Sequence, residues 1–254
     1  MKPQIVLFDV FSYSCMNCLR SLEFIKKISG RYKRFGLTTI IIHPPEWKFE
    51  KNDGNIKLAS KKYKIDFPIK IDNDCKIIKK FGLNFWPSQI LVKNNKIIYK
   101  HVGEGNYKKL EGAIIKNLNV KSKKLFVCEP SYTKFPTVYC GERKKGRISK
   151  LNKKLRFGIL YSDGNWTQKD EYLQSLENDS SLKVLTKGKI TNFVAKTIND
   201  KPIKIKICLN NKLTKGLIIN KPQLYQIIKS KNSTQKSLTI IAPKNLAIYS
   251  FSFQ

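Results

Sequence analysis

Two cysteines separated by two residues are the part of this sequence best suited to chemistry. Cys15 and Cys18 follow an apolar run at 5–11 and precede a helix-like segment that begins at Leu19. Two thiols on the first turn of a helix can close into a disulfide, and the positive end of the helix favours the thiolate form of the first sulfur. The spacing therefore predicts a thiol-disulfide site in which Cys15 attacks and Cys18 resolves.

Half of a zinc site is the main alternative for such a pair. Zinc would need two further ligands at matching spacing. The remaining cysteines and histidines are scattered along the chain: Cys75, Cys128, Cys140, Cys208, His43 and His101. This scatter favours redox chemistry, with no metal and no cofactor other than the Cys15–Cys18 disulfide itself. Cys128 and Cys140 could pair in an oxidising compartment, but two buried free thiols are the favoured interpretation.

Size and composition indicate a globular chain of two domains. The 254 residues are 41% hydrophobic and 11% aromatic, which is typical of folded domains rather than disordered ones. An excess of 50 Lys and Arg over 18 Asp and Glu gives a net charge of +32, which would suit a polyanion partner. Because the lysines are spread along nearly every segment with abundant Ile and Asn, the codon bias of an AT-rich genome is favoured over a nucleic-acid site.

The N-terminus and the apolar runs bear on location. No apolar run approaches the roughly 18 residues that cross a bilayer. The first four residues lead directly into the strand that ends at the cysteines, so a cleaved signal peptide is not expected there. The expected location is therefore cytoplasmic, or extracytoplasmic if the true start lies upstream.

The first half of the chain alternates strand-like and helix-like segments, as in an α/β domain with helices packed on a central sheet. The predicted elements are strands at 5–11, 37–42, 68–72, 88–92 and 96–99 and helices at 16–34, 54–64, 74–81 and 107–118. Asp74 is expected to cap the third helix, and Asn94 with Asn95 to form the turn of a hairpin. This order places Cys15 after the first strand.

The second half differs in texture. Residues 121–156 are rich in Lys, Pro and Gly and are interpreted as a linker and lead-in to a second domain. Residues 157–254 contain short alternating runs separated by turn residues, which predict an all-β sandwich. The predicted organisation is thus a domain at 1–120, a linker at 121–156 and a sandwich at 157–254.

Several spaced motifs resemble one known family. They are the run Phe11-Ser-Tyr-Ser-Cys-Met-Asn-Cys-Leu-Arg20, His43-Pro-Pro-Glu46 with Phe49-Glu50-Lys51, Asp72-Asn-Asp74, Trp86-Pro87, and Gly103-Glu-Gly105 with Tyr107. Over residues 4–118 the chain resembles the thioredoxin-like domain of DipZ-type and related TlpA-like proteins. The resemblance implies a thioredoxin-like α/β fold with a central mixed sheet flanked by helices.

The second half is similar, more weakly, to the β-sandwich that follows this domain in DipZ-type proteins. The likeness rests on Phe135-Pro-Thr-Val-Tyr-Cys-Gly141 and on Tyr249-Ser-Phe-Ser-Phe253. Such sandwiches are compared with carbohydrate-binding modules, which is an analogy of fold and not evidence of sugar binding. A glycan ligand on the sandwich and a sandwich that only shields the α/β domain both stay open.

The resemblance assigns roles to particular residues. Pro87 falls at the cis-proline of the thioredoxin fold, where the Trp86 backbone would pair with an extended substrate beside the cysteines. Asp9, six residues before Cys15, matches the buried acid that accepts the proton of the resolving cysteine. The expected catalytic residues are Cys15, Cys18, Asp9 and Pro87, and the expected substrate contacts are Trp86, Phe85, Tyr13, Met16 and Asn17.

Three further expectations complete this set. Glu46 and Glu50 match a family motif and are interpreted as part of a solvated loop face. Glu23 replaces the proline usual five residues after the second cysteine, which could alter the burial of Cys18. The membrane electron-transfer domain of DipZ-type proteins has no counterpart here, so a separate donor is expected: a thioredoxin reductase-like protein, a membrane dithiol carrier or a small thiol.

Together these features predict a thiol-disulfide oxidoreductase that exchanges the Cys15–Cys18 pair with disulfide-bearing proteins or small molecules, as a reductase in a reducing compartment. A peroxiredoxin-type peroxidase is less favoured because Cys18 is paired with Cys15. The alternative from another class is a basic two-domain module that binds a polyanion or glycan and whose cysteines are structural or bind metal.

Overall fold

The chain folds as two units, described in a computed structural model over residues 5–118, 120, 135–150 and 154–254. The first unit holds the described residues up to 120, and the second holds those from 135 onward.

A five-stranded mixed sheet forms the centre of the first unit. Its strands are β1 (Ile5–Val10), β2 (Leu37–His43), β3 (Ile69–Ile71), β4 (Ser88–Lys93) and β5 (Lys96–Val102), in the spatial order β3-β2-β1-β4-β5. The helices are α1 (Met16–Tyr32), α2 (Asp53–Lys62), α3 (Lys76–Lys80) and α4 (Tyr107–Leu118). Strand β1 runs parallel to β2 and antiparallel to β4, so the predicted α/β order is confirmed.

Side-chain alternation along β1 explains why this strand is central. Ile5 and Leu7 pack in one apolar cluster with residues of α1 and α4, whereas Val10 packs in a second cluster with Ile42 and Ile90. Successive side chains of a strand point to opposite faces, so both faces of β1 are covered. Asp9 shares the face of Ile5 and Leu7 by this alternation, which makes it an acid placed within an apolar layer.

The hairpin between β4 and β5 turns where the sequence predicts it. Asn94 and Asn95 both have positive φ angles, of 48° and 61°. Two residues in the left-handed region make the turn type that matches the twist of antiparallel strands, and asparagine tolerates that region.

The start of α3 differs from the prediction. Asp72, not Asp74, accepts hydrogen bonds from the first helical amides: its carboxylate lies 3.0 Å from the N–H groups of Ile77 and Ile78. Cys75 adopts a left-handed conformation (φ 57°) ahead of the helix, which turns the chain so that the earlier aspartate reaches the helix N-terminus. The predicted cap at Asp74 is therefore wrong.

The second unit is a sandwich of two six-stranded sheets. Its strands are β6 (Val138–Tyr139), β7 (Ile148–Lys150), β8 (Leu160–Asp163), β9 (Trp166–Gln168), β10 (Leu173–Ser175), β11 (Ser180–Thr186), β12 (Ile190–Thr197), β13 (Ile203–Leu209), β14 (Lys212–Ile219), β15 (Gln223–Lys229), β16 (Lys236–Ala242) and β17 (Leu246–Phe253). One sheet has the order β15-β12-β17-β10-β9 with β6 on β17, and the other the order β14-β13-β16-β11-β8-β7. One apolar cluster draws on both sheets, for example through Phe193 and Leu182.

Two short strands of this sandwich lie within the segment interpreted as linker and lead-in. Strand β6 pairs with β17, and β7 pairs in parallel with β8. Both are too short for period-two alternation to be visible in the sequence, so only tertiary pairing defines them. Cys140, next to β6, is a buried free thiol, whereas Cys128 lies outside the described residues.

Within the described ranges, the helices are all too short or too polar to cross a membrane.

Candidate dithiol site

The cysteine pair lies where β1 gives way to α1. Cys15 is the N-cap residue of α1 in an extended conformation, and its Sγ accepts a hydrogen bond from the N–H of Cys18 at 3.4 Å. Cys15 is partly exposed and Cys18 is fully buried, and both are free thiols. An amide of the first helical turn that points at Cys15 Sγ stabilises negative charge on that sulfur. The exposed member is therefore placed to attack, and the buried one to resolve.

Burial sets the acidity of the second thiol. It raises the pKa of Cys18 well above the ordinary cysteine value, and the neighbouring Cys15 and the negative charge of Glu46 raise it further. Cys18 therefore holds its proton near neutral pH and needs a base before it can act as a nucleophile.

The Trp86–Pro87 peptide bond is cis, as the resemblance implies. Two hydrogen bonds hold the surrounding turn. The Oγ of Ser88 donates to the carbonyl of Phe85 at 2.7 Å, and the N–H of Gly103 donates to the carbonyl of Pro87 at 2.8 Å. The Phe85 side chain is 69% exposed beside this turn, which makes it an apolar group available to a partner.

Asp9 is fully buried in β1 and is hydrogen-bonded to the neighbouring strand β4. Its Oδ1 accepts a hydrogen bond from Nε2 of Gln89, the residue opposite it on β4, at 3.0 Å. The same Gln89 nitrogen donates to Oγ of Ser21 on α1 at 3.2 Å, and Asp9 Oδ2 has no hydrogen-bond partner among the described residues. Burial raises the pKa of Asp9 to about 7, against the opposing effect of the Gln89 hydrogen bond. The carboxyl group can therefore exchange a proton near neutral pH.

The expectation that Glu50 is solvated is wrong. Its side chain is 0% exposed and accepts hydrogen bonds from four donors. These are the Oγ of Ser12 at 2.9 Å, the N–H and Oγ of Ser14 at 3.1 and 2.6 Å, and the N–H of Glu46 at 2.6 Å. Four donors offset much of the cost of burying a carboxylate, which explains how an acid can lie in the interior. Glu50 thus ties the chain ahead of Cys15 to the segment that follows β2.

His43, at the end of β2, supports the same loop. Its Nε2 accepts a hydrogen bond from the N–H of Tyr13 at 3.4 Å, and the two rings stack with centroids 5.6 Å apart. Burial lowers the pKa of His43 to about 4, so the ring is neutral near pH 7 and can accept this bond. Tyr13 is itself only 2% exposed, so its ring shapes the loop from within instead of offering a surface to a substrate.

Helix α1 is also joined to the loop after β5. Nε and Nη2 of Arg20 donate to the two carboxylate oxygens of Glu104 at 2.9 and 2.8 Å, and both side chains are largely buried. A buried two-pronged pair fixes geometry more strongly than a surface pair does. It holds the dithiol helix against the segment that contacts Pro87 through Gly103.

The structure thus brings the expected residues to one end of the sheet, with differences in role. Asn17 and Phe85 are exposed, whereas Cys15, Met16 and Trp86 are half-buried. Sequence reasoning missed Glu50 as a buried acid, together with Gln89 and the serines of the loop. The aromatic residues at 47 and 49, just before Glu50, were a usable sign of burial, but its serine partners lie 36 and 38 residues away. Among the described residues, no group of three or more His, Cys, Asp or Glu side chains is arranged to hold a metal ion.

A mixed sheet with this strand order, a Cys-x-x-Cys pair at the first helix and a cis-proline just before β4, the strand beside β1, define the first unit as thioredoxin-like. Comparison with known proteins gives matches to both a family model and individual proteins. The family model described as thioredoxin like C-terminal domain matches residues 143–253, within the second unit. Protein DipZ of Mycobacterium tuberculosis is 30% identical over 138 residues, which cover 54% of this chain and 20% of that protein.

Other relatives match the first unit. The thiol-disulfide oxidoreductase ResA of Bacillus cereus is 26% identical over 117 residues, or 46% of this chain and 65% of that protein. A solved structure, described as a putative thiol:disulfide interchange protein DsbE from Chlorobium tepidum, has 19% identity and a TM-score of 0.41 over 46% of this chain and 82% of that chain. The aligned part of this chain spans about a fifth of the mycobacterial DipZ proteins.

Proposed function

We propose that this protein is a thiol-disulfide oxidoreductase that acts through Cys15 and Cys18, with protein disulfides as its substrates. The observation that carries the proposal is the asymmetry of the pair: Cys15 is partly exposed and accepts a helix amide, whereas Cys18 is buried and keeps its proton. Relatives of the first unit include a protein named as a thiol-disulfide oxidoreductase, which supports the same chemistry.

Reduction of a substrate disulfide takes two exchanges. The Cys15 thiolate attacks one substrate sulfur, a bond forms between these two sulfurs, and the other substrate sulfur leaves as a thiolate that takes up a proton. Cys18, once deprotonated, attacks Cys15 Sγ and releases the second substrate thiol. The substrate gains two electrons and two protons, and the protein is left with the Cys15–Cys18 disulfide.

Asp9 is the proposed acceptor of the Cys18 proton. Its pKa of about 7, and an Oδ2 that accepts no hydrogen bond from the described part of the chain, suit a group that takes up and returns a proton at neutral pH. Since its direct hydrogen bond goes to Gln89, a water molecule would carry the proton between Cys18 and Asp9.

The substrate would lie along the turn at Pro87. An extended segment pairs with the Trp86 backbone, and the exposed Phe85 ring contacts apolar side chains of that segment. A second dithiol, from a protein or a small thiol, then reduces the Cys15–Cys18 disulfide and completes the cycle.

The test is disulfide reduction with insulin as the probe and a small thiol as electron donor. Cys15→Ser should lose turnover completely, because the attacking sulfur is gone. Cys18→Ser should accumulate a mixed disulfide with insulin chains, visible by mass spectrometry, because nothing resolves it. Cys208→Ser, a change in the sandwich, is the matched control and should keep normal turnover.

Two results would overturn the proposal. The first is turnover that survives in Cys15→Ser. The second is a purified protein with no reversible Cys15–Cys18 transition in a redox titration, together with salt-dependent binding of nucleic acid or a glycan that Cys15→Ser leaves intact. That outcome would favour the basic binding module.

A further inference from the structure

Glu50 joins two segments that are far apart in sequence. Through Ser12 and Ser14 it holds the chain that leads into Cys15, and through the N–H of Glu46 it holds the segment after β2. The N–H of Cys15 in turn donates to the carbonyl of Ser12 at 3.2 Å, so the held loop ends at the attacking cysteine. Any shift of the Glu50 carboxylate would therefore reach Cys15.

The donor set fits an ionised carboxylate. Two hydroxyl groups and two amides point at Glu50, and a carboxylate accepts at both oxygens, whereas a protonated or amidated group would turn a donor toward them. Burial raises the pKa of Glu50 and the four donors oppose that rise. The donors thus supply what water supplies to an exposed carboxylate.

Glu46 is a second acidic residue in this arrangement, after Glu50. Its backbone is held by Glu50, and its Oε2 lies 3.5 Å from Nε1 of Trp86, the residue before the cis-proline. Its negative charge also acts on Cys18. Glu46 therefore connects the proposed substrate-binding turn with the resolving cysteine.

We propose that Glu50 is a positioning residue for the dithiol, which fixes the loop ahead of Cys15 and holds Glu46 beside Trp86. The inference rests on the proposed oxidoreductase function and adds two residues that tune it. A negative charge beside the pair disfavours a thiolate, so at a pH where a thiol of the pair is ionised Glu46 makes the dithiol form less stable relative to the disulfide. Under those conditions Glu46 biases the protein toward reducing its partners.

Other titratable groups around Glu50 do not replace its role. His43 is neutral near pH 7, because burial lowers its pKa to about 4. Tyr63, at the end of α2, has a pKa raised to about 12 by burial and by the charge of Glu50, so it is neutral as well. Near neutral pH neither residue offers Glu50 a positive charge, which leaves the four hydrogen-bond donors as its support.

The experiment measures the midpoint potential of Cys15 and Cys18 by redox titration with thiol trapping, on the full chain. In Glu46→Gln the backbone N–H to Glu50 remains and only the charge is lost. With titrations run at a series of pH values from neutral upward, we expect the dithiol-disulfide equilibrium to shift toward the dithiol as the thiols ionise, by up to about tenfold, which is about 30 mV for a two-electron couple. Glu50→Gln should shift the potential in the same direction and by at least as much.

Coupling between the two residues separates positioning from general damage. If Glu50 places Glu46, then Glu46→Gln should have a smaller effect in the Glu50→Gln background than in the wild type. Glu111→Gln is the matched control. Glu111 is another fully buried glutamate, and its carboxylate accepts a hydrogen bond from the hydroxyl group of Tyr32 at 2.6 Å. Its replacement should leave the potential unchanged.

The possible outcomes separate this inference from the proposed function. A reversible wild-type couple whose potential is the same in Glu46→Gln, Glu50→Gln and Glu111→Gln would overturn the inference and leave the function standing. Additive effects of the two substitutions would overturn the positioning role. If Glu50→Gln does not fold, Ser14→Ala takes its place, since it removes the shortest side-chain donor to Glu50, and an unchanged potential in that variant would count against the inference. A wild-type protein without a reversible couple would overturn the proposed function itself.

Discussion

Each of the two units buries a cysteine and a carboxylate, but in different surroundings. In the thioredoxin-like unit, Cys18 lies beside a second thiol, and Asp9 keeps one oxygen without a hydrogen-bond partner among the described residues. In the sandwich, Cys140 lies in the apolar core, and Glu171 is paired with Nη2 of Arg143 at 2.9 Å. Burial alone therefore does not make a reactive site. The buried thiol or carboxyl group must also have a group nearby with which it can react or exchange a proton.

Backbone position contributes to the same contrast. Cys15 lies at the N-terminus of a helix of 17 residues, where the amide of Cys18 points at its sulfur. Cys140 follows a two-residue strand, its N–H donates to the carbonyl of Tyr249 at 2.9 Å, and burial raises its pKa above the ordinary cysteine value. The first environment stabilises a thiolate and the second opposes one.

The largest expected difference between the units is in thiol reactivity. Cys140 is 0% exposed, so alkylation requires an opening of the sandwich, and we expect it to react at least about a thousandfold more slowly than Cys15 in the folded protein. Iodoacetamide labelling followed by peptide mass spectrometry measures both rates in one sample. In denaturant the two cysteines should react at similar rates, which is the control. Comparable alkylation rates of Cys15 and Cys140 in the folded protein would contradict this difference between the units.

The second expected difference concerns the buried acids and pH. Burial moves the pKa of Asp9 from 3.8 to about 7, which corresponds to a folding cost of roughly 4 kcal/mol once the group is ionised in both states. Because the folded-state pKa is raised, this cost is absent below pH 4, grows as pH rises toward 7 and is complete above it. Asp9→Asn should therefore raise the free energy of unfolding at pH 8 by up to about 4 kcal/mol and leave it nearly unchanged at pH 4.

Chemical denaturation at the two pH values measures this effect. Glu171→Gln, in the sandwich, is the companion variant and should lower stability by about 1 kcal/mol through loss of its ion pair with the half-exposed Arg143. A variant Asp9→Asn that is less stable than the wild type at pH 8 would contradict the assignment of Asp9 as an acid whose ionised form is destabilised by burial.

The smallest expected effect is on substrate preference. Phe85→Ala should raise KM for insulin by about fivefold, because an exposed aromatic contributes about 1 kcal/mol at a contact surface. It should leave KM for a small disulfide such as oxidised glutathione unchanged, and stability within about 0.5 kcal/mol. Ile97→Ala, a change of another exposed apolar residue on β5, should alter neither KM. Equal effects of the two substitutions would remove Phe85 from the substrate surface.

Local patterns in the sequence were enough for much of the fold. The apolar run before Cys15, the helical periodicity after it and the paired asparagines of the hairpin all concern neighbours within a few residues, where backbone preference and burial act directly. The same holds for the long strands of the sandwich. The strands of two or three residues at 138–139 and 148–150 were not predictable, because pairing with distant strands defines them.

By itself, the sequence determined the position of the dithiol at a strand-to-helix junction, because Cys-x-x-Cys and its flanking patterns are local. Only the tertiary structure decided which residues surround that dithiol. Glu50 was expected in solvent and is buried, and its donors Ser12 and Ser14 come from the loop that follows β1. Asp9 meets Gln89 only because β1 and β4 pair in one register. Hydrogen bonds between residues that are 36 to 80 positions apart depend on how the sheet assembles, and no spacing along the chain encodes them.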